Sequence, residues 1–340
     1  IKRVHSVIAF DYPARLSLAR TPTPLQLLSR LSVEEGGPRI WVKRDDLTEC
    51  VASGNKIRKL EFTLAKAIAD GADTVITCGG VQSNHCRATA VLGARLGLKV
   101  HLILRGEKPA QVDGNLFLDQ LCGASVSFHP AAVYQKGLAE LFTQWEAHYL
   151  AQGHKTYVIP TGASDGVGVW GYIAACEELK NDFAQNNIAP KYIVHATGSG
   201  GTQAGLSAGV VLHGIATKVV GMAVCDSEAY FLKKVRADLT DWKSRYGVAI
   251  DVNAIPVACN ANYIGEAYAK ASREVFETIH RVAALEGIVL DPVYTGKAFH
   301  GMLNELRNGA FSDAKDIVFV HTGGVYGLFA QREQALGAVT

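Results

Sequence analysis

The chain has 340 residues, 48% of them apolar and 19% charged, with a formal net charge of +2 at pH 7. That length suits two lobes of about 100–200 residues each. The near-neutral balance gives no case for a nucleic acid or an anionic membrane surface as partner. No apolar run reaches the roughly 18–20 residues that span a bilayer. The opening Ile1-Lys2-Arg3-Val4-His5 has no secretory hydrophobic region. It also lacks an initiator Met, so a removed leader stays open. The seven cysteines, Cys50, Cys78, Cys86, Cys122, Cys176, Cys225 and Cys259, form no C-x-x-C pair and are odd in number. They read as the reduced thiols of a cytoplasmic protein. The eleven histidines show neither H-E-x-x-H spacing nor a Cys/His cluster, so a structural metal site is not expected.

In chain order, Trp41-Val42-Lys43-Arg44-Asp45-Asp46 reads as an ion-paired strand end rather than a catalytic group. A helix is predicted from Lys56 to about Ala69, with Ile57, Leu60, Leu64 and Ile68 on one face. Strand-like runs then alternate with helical patterns. Thr74–Cys78 precedes a helix over 84–96, and Val100–Leu104 precedes one over 115–121. Tyr157–Ile159 precedes a helix near 169–183, and Tyr192–Ala196 leads through a glycine turn into one near 203–212. Val219–Val224 and Ile317–Val320 are two further strands. Strands this apolar suit a sheet covered on both faces. The alternation implies parallel βα units in an open, doubly wound α/β architecture, whose ligands bind at the carboxyl ends of the strands. Four segments follow predicted strands and are expected to converge on one cleft: 79–85, 160–168, 198–205 and 322–327. With no internal repeat or long linker, the lobes are expected to interleave.

Two segments carry the chemistry. Ser53-Gly54-Asn55-Lys56-Ile57-Arg58-Lys59 offers an amine at the start of a helix. Thr197-Gly198-Ser199-Gly200-Gly201-Thr202-Gln203-Ala204-Gly205 offers a strand, a glycine turn over Gly198–Thr202 and a helix from Gln203. Glycines let backbone N–H groups close on an anion, the helix end adds partial positive charge, and Ser199 and Thr202 add hydroxyl donors. The dinucleotide fingerprint fails because Gln203 occupies its last glycine position, and no Gly-Lys-Ser/Thr supplies a Walker pattern. An amine able to form an imine plus a separate phosphate clamp is what a pyridoxal phosphate enzyme needs. Partial burial and the helix end would both depress the Lys56 pKa and favour the free amine. Lys59, one turn on, would reach a phosphate. At Cys78-Gly79-Gly80-Val81-Gln82-Ser83-Asn84-His85, Asn84 is placed to bond a ring hydroxyl, and Ser83 to sit beside a substrate carboxylate or α-carbon. Plain helix capping is the competing account of Ser83 and Asn84. At Asp291-Pro292-Val293-Tyr294-Thr295-Gly296-Lys297 and His321-Thr322-Gly323-Gly324, Tyr294 is a candidate acid or base, and Thr295 and Thr322 candidates for a ring nitrogen. The bland alternative there is capping threonines and a packed tyrosine.

These segments, in this order, resemble the fold-type II pyridoxal phosphate enzymes. Within that group they look like the branch holding 1-aminocyclopropane-1-carboxylate deaminase and D-cysteine desulfhydrase. The resemblance runs from Thr21-Pro22-Thr23-Pro24-Leu25 and Lys43-Arg44-Asp45-Asp46 to His321-Thr322-Gly323-Gly324. It implies two open parallel sheets, with 1–60 and 180–340 as a larger cofactor-binding domain and 61–179 as a smaller one. It also implies a homodimer. By resemblance Lys56 is the Schiff-base lysine, and Lys59 with Gly198, Ser199, Gly200, Gly201 and Thr202 holds the phosphate. Asn84 meets the ring hydroxyl, Ser83 lies at the substrate, and Tyr268 and Tyr294 flank it. The Tyr268 match, in Asn262-Tyr263-Ile264-Gly265-Glu266-Ala267-Tyr268-Ala269, has alanine where relatives often have glycine after the tyrosine, and Tyr263 stays open there.

One departure bears on substrate. The deaminase is expected to carry Glu and Leu where this chain has Thr295 and Thr322. A carboxylate at the pyridine nitrogen keeps the ring protonated and a strong electron sink, which opening a cyclopropane needs. A neutral threonine gives a weaker sink, sufficient for β-elimination with a good leaving group. The expected reaction is D-cysteine to pyruvate, sulfide and ammonia, with Lys56, Ser83 or Tyr294 taking the α-proton. An L-cysteate sulfo-lyase is the alternative, although no cation for a sulfonate is identified in the sequence. A 1-aminocyclopropane-1-carboxylate deaminase stands third. A non-catalytic pyridoxal phosphate- or nucleotide-binding protein is the reading from another class.

Overall fold

A computed structural model describes residues 10–338. The opening pentapeptide lies outside the described residues. In chain order the elements begin with β1 (Leu25–Leu27), α1 (Ser29–Glu35), β2 (Arg39–Lys43), α2 (Asn55–Ala69), β3 (Thr74–Gly80) and α3 (Asn84–Leu96). There follow β4 (Lys99–Arg105), α4 (Gly114–Leu121), β5 (Ser125–His129), α5 (Ala131–Leu150), β6 (Thr156–Val158) and α6 (Trp170–Gln185). Next come β7 (Tyr192–Thr197), α7 (Gly201–Leu212), β8 (Lys218–Ala223), α8 (Glu228–Tyr246), β9 (Ala258–Asn260) and α9 (Arg273–Glu286). The chain closes with α10 (Thr295–Arg307), β10 (Asp316–Val320), α11 (Val325–Phe329) and α12 (Arg332–Gly337).

The strands form two sheets, as the alternation implies. The larger runs β1-β2-β10-β7-β8-β9 and is parallel except for the β1 edge; the smaller runs β5-β4-β3-β6 and is parallel throughout. Successive side chains on a strand face opposite ways. In β10, Ile317 and Phe319 pack with Ile40 and Phe299 on one face, while Val318 and Val320 pack with Tyr172 and Leu206 on the other. In the smaller sheet Leu102 and Leu104 face one core, and Ile103 faces another with Ile76 and Cys78. Sheets buried on both faces need such near-continuous apolar strands. The strands of the smaller sheet all lie between 74 and 158, and residues 60 and 179 fall inside α2 and α6.

The Trp41–Asp46 strand end is ion-paired, and it locks the site helix in place. Arg58 of α2 donates to Asp45 Oδ1 at 2.8 Å and to Glu178 Oε1 at 2.7 Å; Tyr172 donates to Asp45 Oδ2 at 2.6 Å. Lys43 donates to Asp182 at 2.6 Å. Burial pushes the Asp45 carboxyl up, but Arg58 outweighs it and holds the carboxyl below its usual range. Breaking one partner of such a buried pair costs about 3–5 kcal/mol. The network ties α2, which carries Lys56, to α6 behind the larger sheet. No helix among the described residues is long and apolar enough to cross a membrane.

Candidate active site

A cavity of about 250 Å³ lies between the two sheets, and every strand-following segment singled out in the sequence contributes to it. Its walls come from the carboxyl ends of β3, β4, β7, β8 and β10 together with the start of α2. Lys56, Ser83, Asn84, Gly198, Ser199, Gly200, Thr202, Tyr268, Tyr294 and Thr322 all line it.

Lys56 is set by a close backbone crossing. Gly54 has φ +107°, and a Cβ there would stand 2.5 Å from the Thr322 carbonyl oxygen. Only glycine permits both. The crossing lets Asn55 N–H donate to that carbonyl at 3.2 Å, which fixes the first turn of α2 against the end of β10. The partly buried Lys56 Nζ donates to Asn55 Oδ1 at 3.1 Å and lies 5.9 Å from the centre of the Tyr294 ring. Burial first, then the Arg87 charge, lowers its pKa to about 8, against an opposing pull from Asp291. An amine near neutrality is a competent nucleophile towards an aldehyde.

The glycine turn is shorter than its sequence suggests. Gly200, at φ +88°, is the N-cap, so Gly201 and Thr202 already belong to α7 rather than to the turn. The left-handed φ turns the chain one residue after Ser199 and starts the helix early. The packing leaves no room for side chains: a Cβ on Gly198 would lie 2.9 Å from Tyr294 Cε1, and one on Gly201 would lie 2.7 Å from Ser164 Oγ. Asn55 Nδ2 donates to Thr202 Oγ1 at 2.9 Å, joining the lysine to the turn.

Lys59 does not stand on the cavity wall. Its fully buried ammonium donates to Ser164 Oγ at 3.2 Å, one layer behind the turn. Ser164 Oγ in turn donates to Ser199 Oγ at 2.8 Å and accepts Gly201 N–H at 3.2 Å. Burial, then the nearby Lys56 charge, pulls the Lys59 pKa well below its usual value. Among the described residues no carboxylate pairs with Lys59. A buried lysine, the first N–H groups of α7 and two hydroxyls meet at one end of the cavity. A phosphate fits this end, since buried charge requires a partner.

Ser83 caps α3 and Asn84 opens it, and both face the cavity. Ser83 Oγ accepts Cys86 N–H at 3.1 Å as N-cap of α3, and also lines the cavity. Asn84 Oδ1 accepts from Arg87 at 3.2 Å and from Asn115 at 3.1 Å, which leaves its amide nitrogen as a donor with no partner among the described residues. His85 Nε2 meets Thr77 Oγ1 at 2.7 Å, and its buried Nδ1 has no partner among the described residues. Burial and then Lys56 hold His85 well below its usual pKa, so its ring is neutral.

The tyrosines form a pair. The hydroxyls of Tyr268 and Tyr294 lie 2.5 Å apart. Burial raises both, Tyr268 to about 12 and Tyr294 well above its usual value, so both keep their protons at neutral pH. Lys297 donates to the Ile264 and Ala267 carbonyls at 2.6 and 2.7 Å and pins the segment that carries Tyr268. Ala269 there has φ +60°, in the left-handed region that glycine adopts most readily. Tyr263 turns away and donates to Glu305 at 2.8 Å. Thr295 lies behind the wall: its hydroxyl donates to Asp291 Oδ1 at 2.7 Å and accepts Asp291 N–H at 2.8 Å. Thr322 lines the cavity, and its hydroxyl bonds to none of the described residues.

Several lining residues escape the sequence reading: Arg105, Tyr134, Cys225, Asp226 and Tyr230. Arg105, Cys225 and Asp226 do follow predicted strands, the one available signal.

A family model described as pyridoxal-phosphate dependent enzyme matches residues 16–323. A Thermotoga maritima protein provisionally named 1-aminocyclopropane-1-carboxylate deaminase is 46% identical over 319 residues, covering 93% of this chain and 98% of that protein. The mitochondrial bifunctional D-cysteine desulfhydrase/1-aminocyclopropane-1-carboxylate deaminase of Arabidopsis thaliana is 40% identical over 328 residues, covering 94% of this chain and 80% of that protein. A crystal structure of an ACC deaminase homologue superposes with a TM-score of 0.85 at 35% identity, covering 96% of both chains. The match over residues 16–323, the two-sheet fold and the glycine-and-lysine cavity thus agree that this chain belongs to the pyridoxal-phosphate dependent enzymes, in the family of these deaminases and desulfhydrases.

Proposed function

We propose that the chain catalyses β-elimination on a small amino acid, with D-cysteine as substrate and pyruvate, sulfide and ammonia as products. That makes it a carbon–sulfur lyase. The observation that carries this reading is the neutral wall at Thr322. The candidate partners of the pyridine nitrogen are Thr322 and Thr295, and the Thr295 hydroxyl is already committed to Asp291. The cavity's lining contains one carboxylate, Asp226, which follows β8. It stands two strands from Thr322, on the order of 10 Å away. Pyridoxal phosphate, when bound, supplies an electron sink that acidifies the substrate's α-proton. A weaker sink favours substrates with a good leaving group over a strained ring.

The chain's own residues divide the remaining work. Ser199, Gly200 and Thr202 would hold the phosphate, with Gly201 N–H and Lys59 supporting them through Ser164. Asn84 would donate to the ring hydroxyl. Ser83 and the first N–H groups of α3 would receive the substrate carboxylate. Lys56, with its pKa of about 8, is the lining group best matched to moving the α-proton near neutral pH. The two tyrosine hydroxyls, kept protonated, act as donors. A homodimer in the cytoplasm is part of this proposal.

The relatives' names span two activities, so the assay must separate them. D-cysteine, L-cysteate and 1-aminocyclopropane-1-carboxylate are supplied to the holoenzyme, and pyruvate, sulfide, sulfite and 2-oxobutyrate are measured. Pyruvate with sulfide from D-cysteine is expected. Turnover of the cyclopropane substrate with none of D-cysteine would overturn the reading. Cofactor binding without turnover of any of the three would favour a non-catalytic protein.

A further inference from the structure

We propose that Arg105 receives the β-substituent of the substrate and stabilises the negative charge with which it departs. This deepens, and rests on, the β-elimination reading. Arg105 ends β4 and pairs in register with Gly80, which has no side chain to block the cavity. Its guanidinium carbon lies 5.2 Å from the Tyr268 ring centre and 5.9 Å from that of Tyr134. Two aromatic faces thus steer the cation without neutralising it. Among the described residues no carboxylate pairs with Arg105, and Asp226, which also lines the cavity, is not within ion-pair distance. A partly buried guanidinium without a counter-ion, aimed into a cavity, is suited to an anion.

The direction of that anion follows from the residues between. Lys56 lies against Tyr294, the Tyr294 hydroxyl meets Tyr268, and Tyr268 carries Arg105 on its face. The tyrosine pair therefore stands between the Lys56 amine and the Arg105 guanidinium on the cavity lining. The substrate carboxylate has its own donors at the N-terminus of α3, on Ser83 and the N–H groups beside it. An amino acid with its α-carbon at Lys56 then extends its β-substituent along the tyrosines to Arg105. In the elimination the Cα–H electron pair becomes the Cα–Cβ π bond, and the Cβ–S pair leaves on sulfur. From D-cysteine the sulfur departs as HS⁻; from cysteate, as sulfite. With water the unsaturated amine then gives pyruvate and ammonium. Charge grows on sulfur where Arg105 waits, so the arginine contributes more in the transition state than in the ground state. A cyclopropane ring presents no such group.

The test compares the native holoenzyme with Arg105→Gln and Arg105→Lys. Substrates are D-cysteine, L-cysteate and β-chloro-D-alanine, whose chloride leaves without help. Arg105→Gln is expected to lower kcat/KM at least tenfold for the sulfur substrate that the native enzyme turns over, and less than threefold for β-chloro-D-alanine. Arg105→Lys should recover part of the loss. A second readout needs no turnover: 3-sulfopropionate and butyrate are titrated by calorimetry. The native enzyme should prefer the sulfonate, and Arg105→Gln should erase the preference. An unchanged visible cofactor band and melting midpoint exclude misfolding as the cause. Equal losses on all substrates would make Arg105 a carboxylate clamp or a structural residue, overturning this inference and leaving the elimination reading intact. Failure of the native enzyme on every β-substituted substrate would overturn both.

Discussion

At the β7–α7 junction the cavity wall is mostly main chain. Gly198, Gly200 and Gly201 are packed so that a Cβ would meet Tyr294, Lys234 or Ser164 within 2.7–3.0 Å. Across the cavity, around Arg105, Tyr134, Tyr268 and Asp226, the wall is side chain. The Tyr268 segment is pinned by Lys297, and among the described residues Arg105 is held by aromatic faces without an ion-pair partner. The first wall leaves no room for added side chains, which suits one unchanging ligand group, a phosphate. The second can be re-lined by changing single residues without moving a strand. Within one fold, cofactor binding is therefore a property of backbone shape, and substrate choice a property of a few projecting groups.

Lys56 belongs to both walls, so its removal breaks the comparison most severely. Lys56→Ala should abolish the visible absorption of the bound cofactor and lower turnover by roughly a thousandfold or more, as with other residues that act covalently. Retention of the band would sink the assignment. Gly201→Ala attacks the phosphate wall alone. Its methyl would face Ser164 Oγ at 2.7 Å and Ser164 Cα at 2.9 Å, so the turn must shift. Overpacking of this kind costs about 1–3 kcal/mol, and the cofactor's Kd should rise roughly 10–100-fold. The ratio of rates on different substrates should stay put, because the other wall is untouched. A changed ratio at saturating cofactor would refute the separation of the walls.

Titration sharpens the comparison more gently. The Lys56 pKa is depressed from 10.5 to about 8, so the folded apoprotein loses this proton near pH 8 while an unfolded chain keeps it to about 10.5. Between those values the unfolded state binds more protons, and stability rises with pH. Below about pH 8 that contribution is absent. Capture of free pyridoxal phosphate needs the neutral amine. Its rate should climb nearly tenfold between pH 6.5 and 7.5 and flatten above 8, as read from growth of the visible band. A rate flat across that range would mean the amine is already neutral at pH 6.5.

How far the sequence disclosed these features follows the same division. Apolar strands alternating with amphipathic helices identified the parallel sheets, because strands buried on both faces have no other pattern. The glycine turn and the lysine at a helix start were visible because backbone approach demands glycine and a cofactor amine demands Lys. The early start of α7 at Gly201 was not visible, since whether Gly200 or Gly201 takes the left-handed φ depends on packing against Lys234 and Ser164. Nor was Ser164 as the relay between Lys59 and the turn, which joins residues 105 positions apart. Arg105 was hidden for the same reason: its meaning comes from Tyr134 and Tyr268, brought to it by α5 and a pinned loop.

Ser83 yields the smallest effect and the finest discrimination. It caps α3 through the bond from Cys86 N–H, and it lines the cavity. Replacing an N-cap serine by alanine costs about 1 kcal/mol, while glycine costs only a few tenths. Ser83 is in the extended region, φ −75° and ψ 119°, where glycine adds no strain. If Ser83 serves only as a cap, Ser83→Ala should be the less stable variant in chemical denaturation, and Ser83→Gly should keep nearly full activity. If the hydroxyl also meets the substrate, the two variants should differ in stability yet lose activity alike. The second pattern is expected, because the hydroxyl that fills the cap faces the same space as the Lys56 amine. Activity that tracks stability across the pair would return Ser83 to the helix and remove it from the substrate wall.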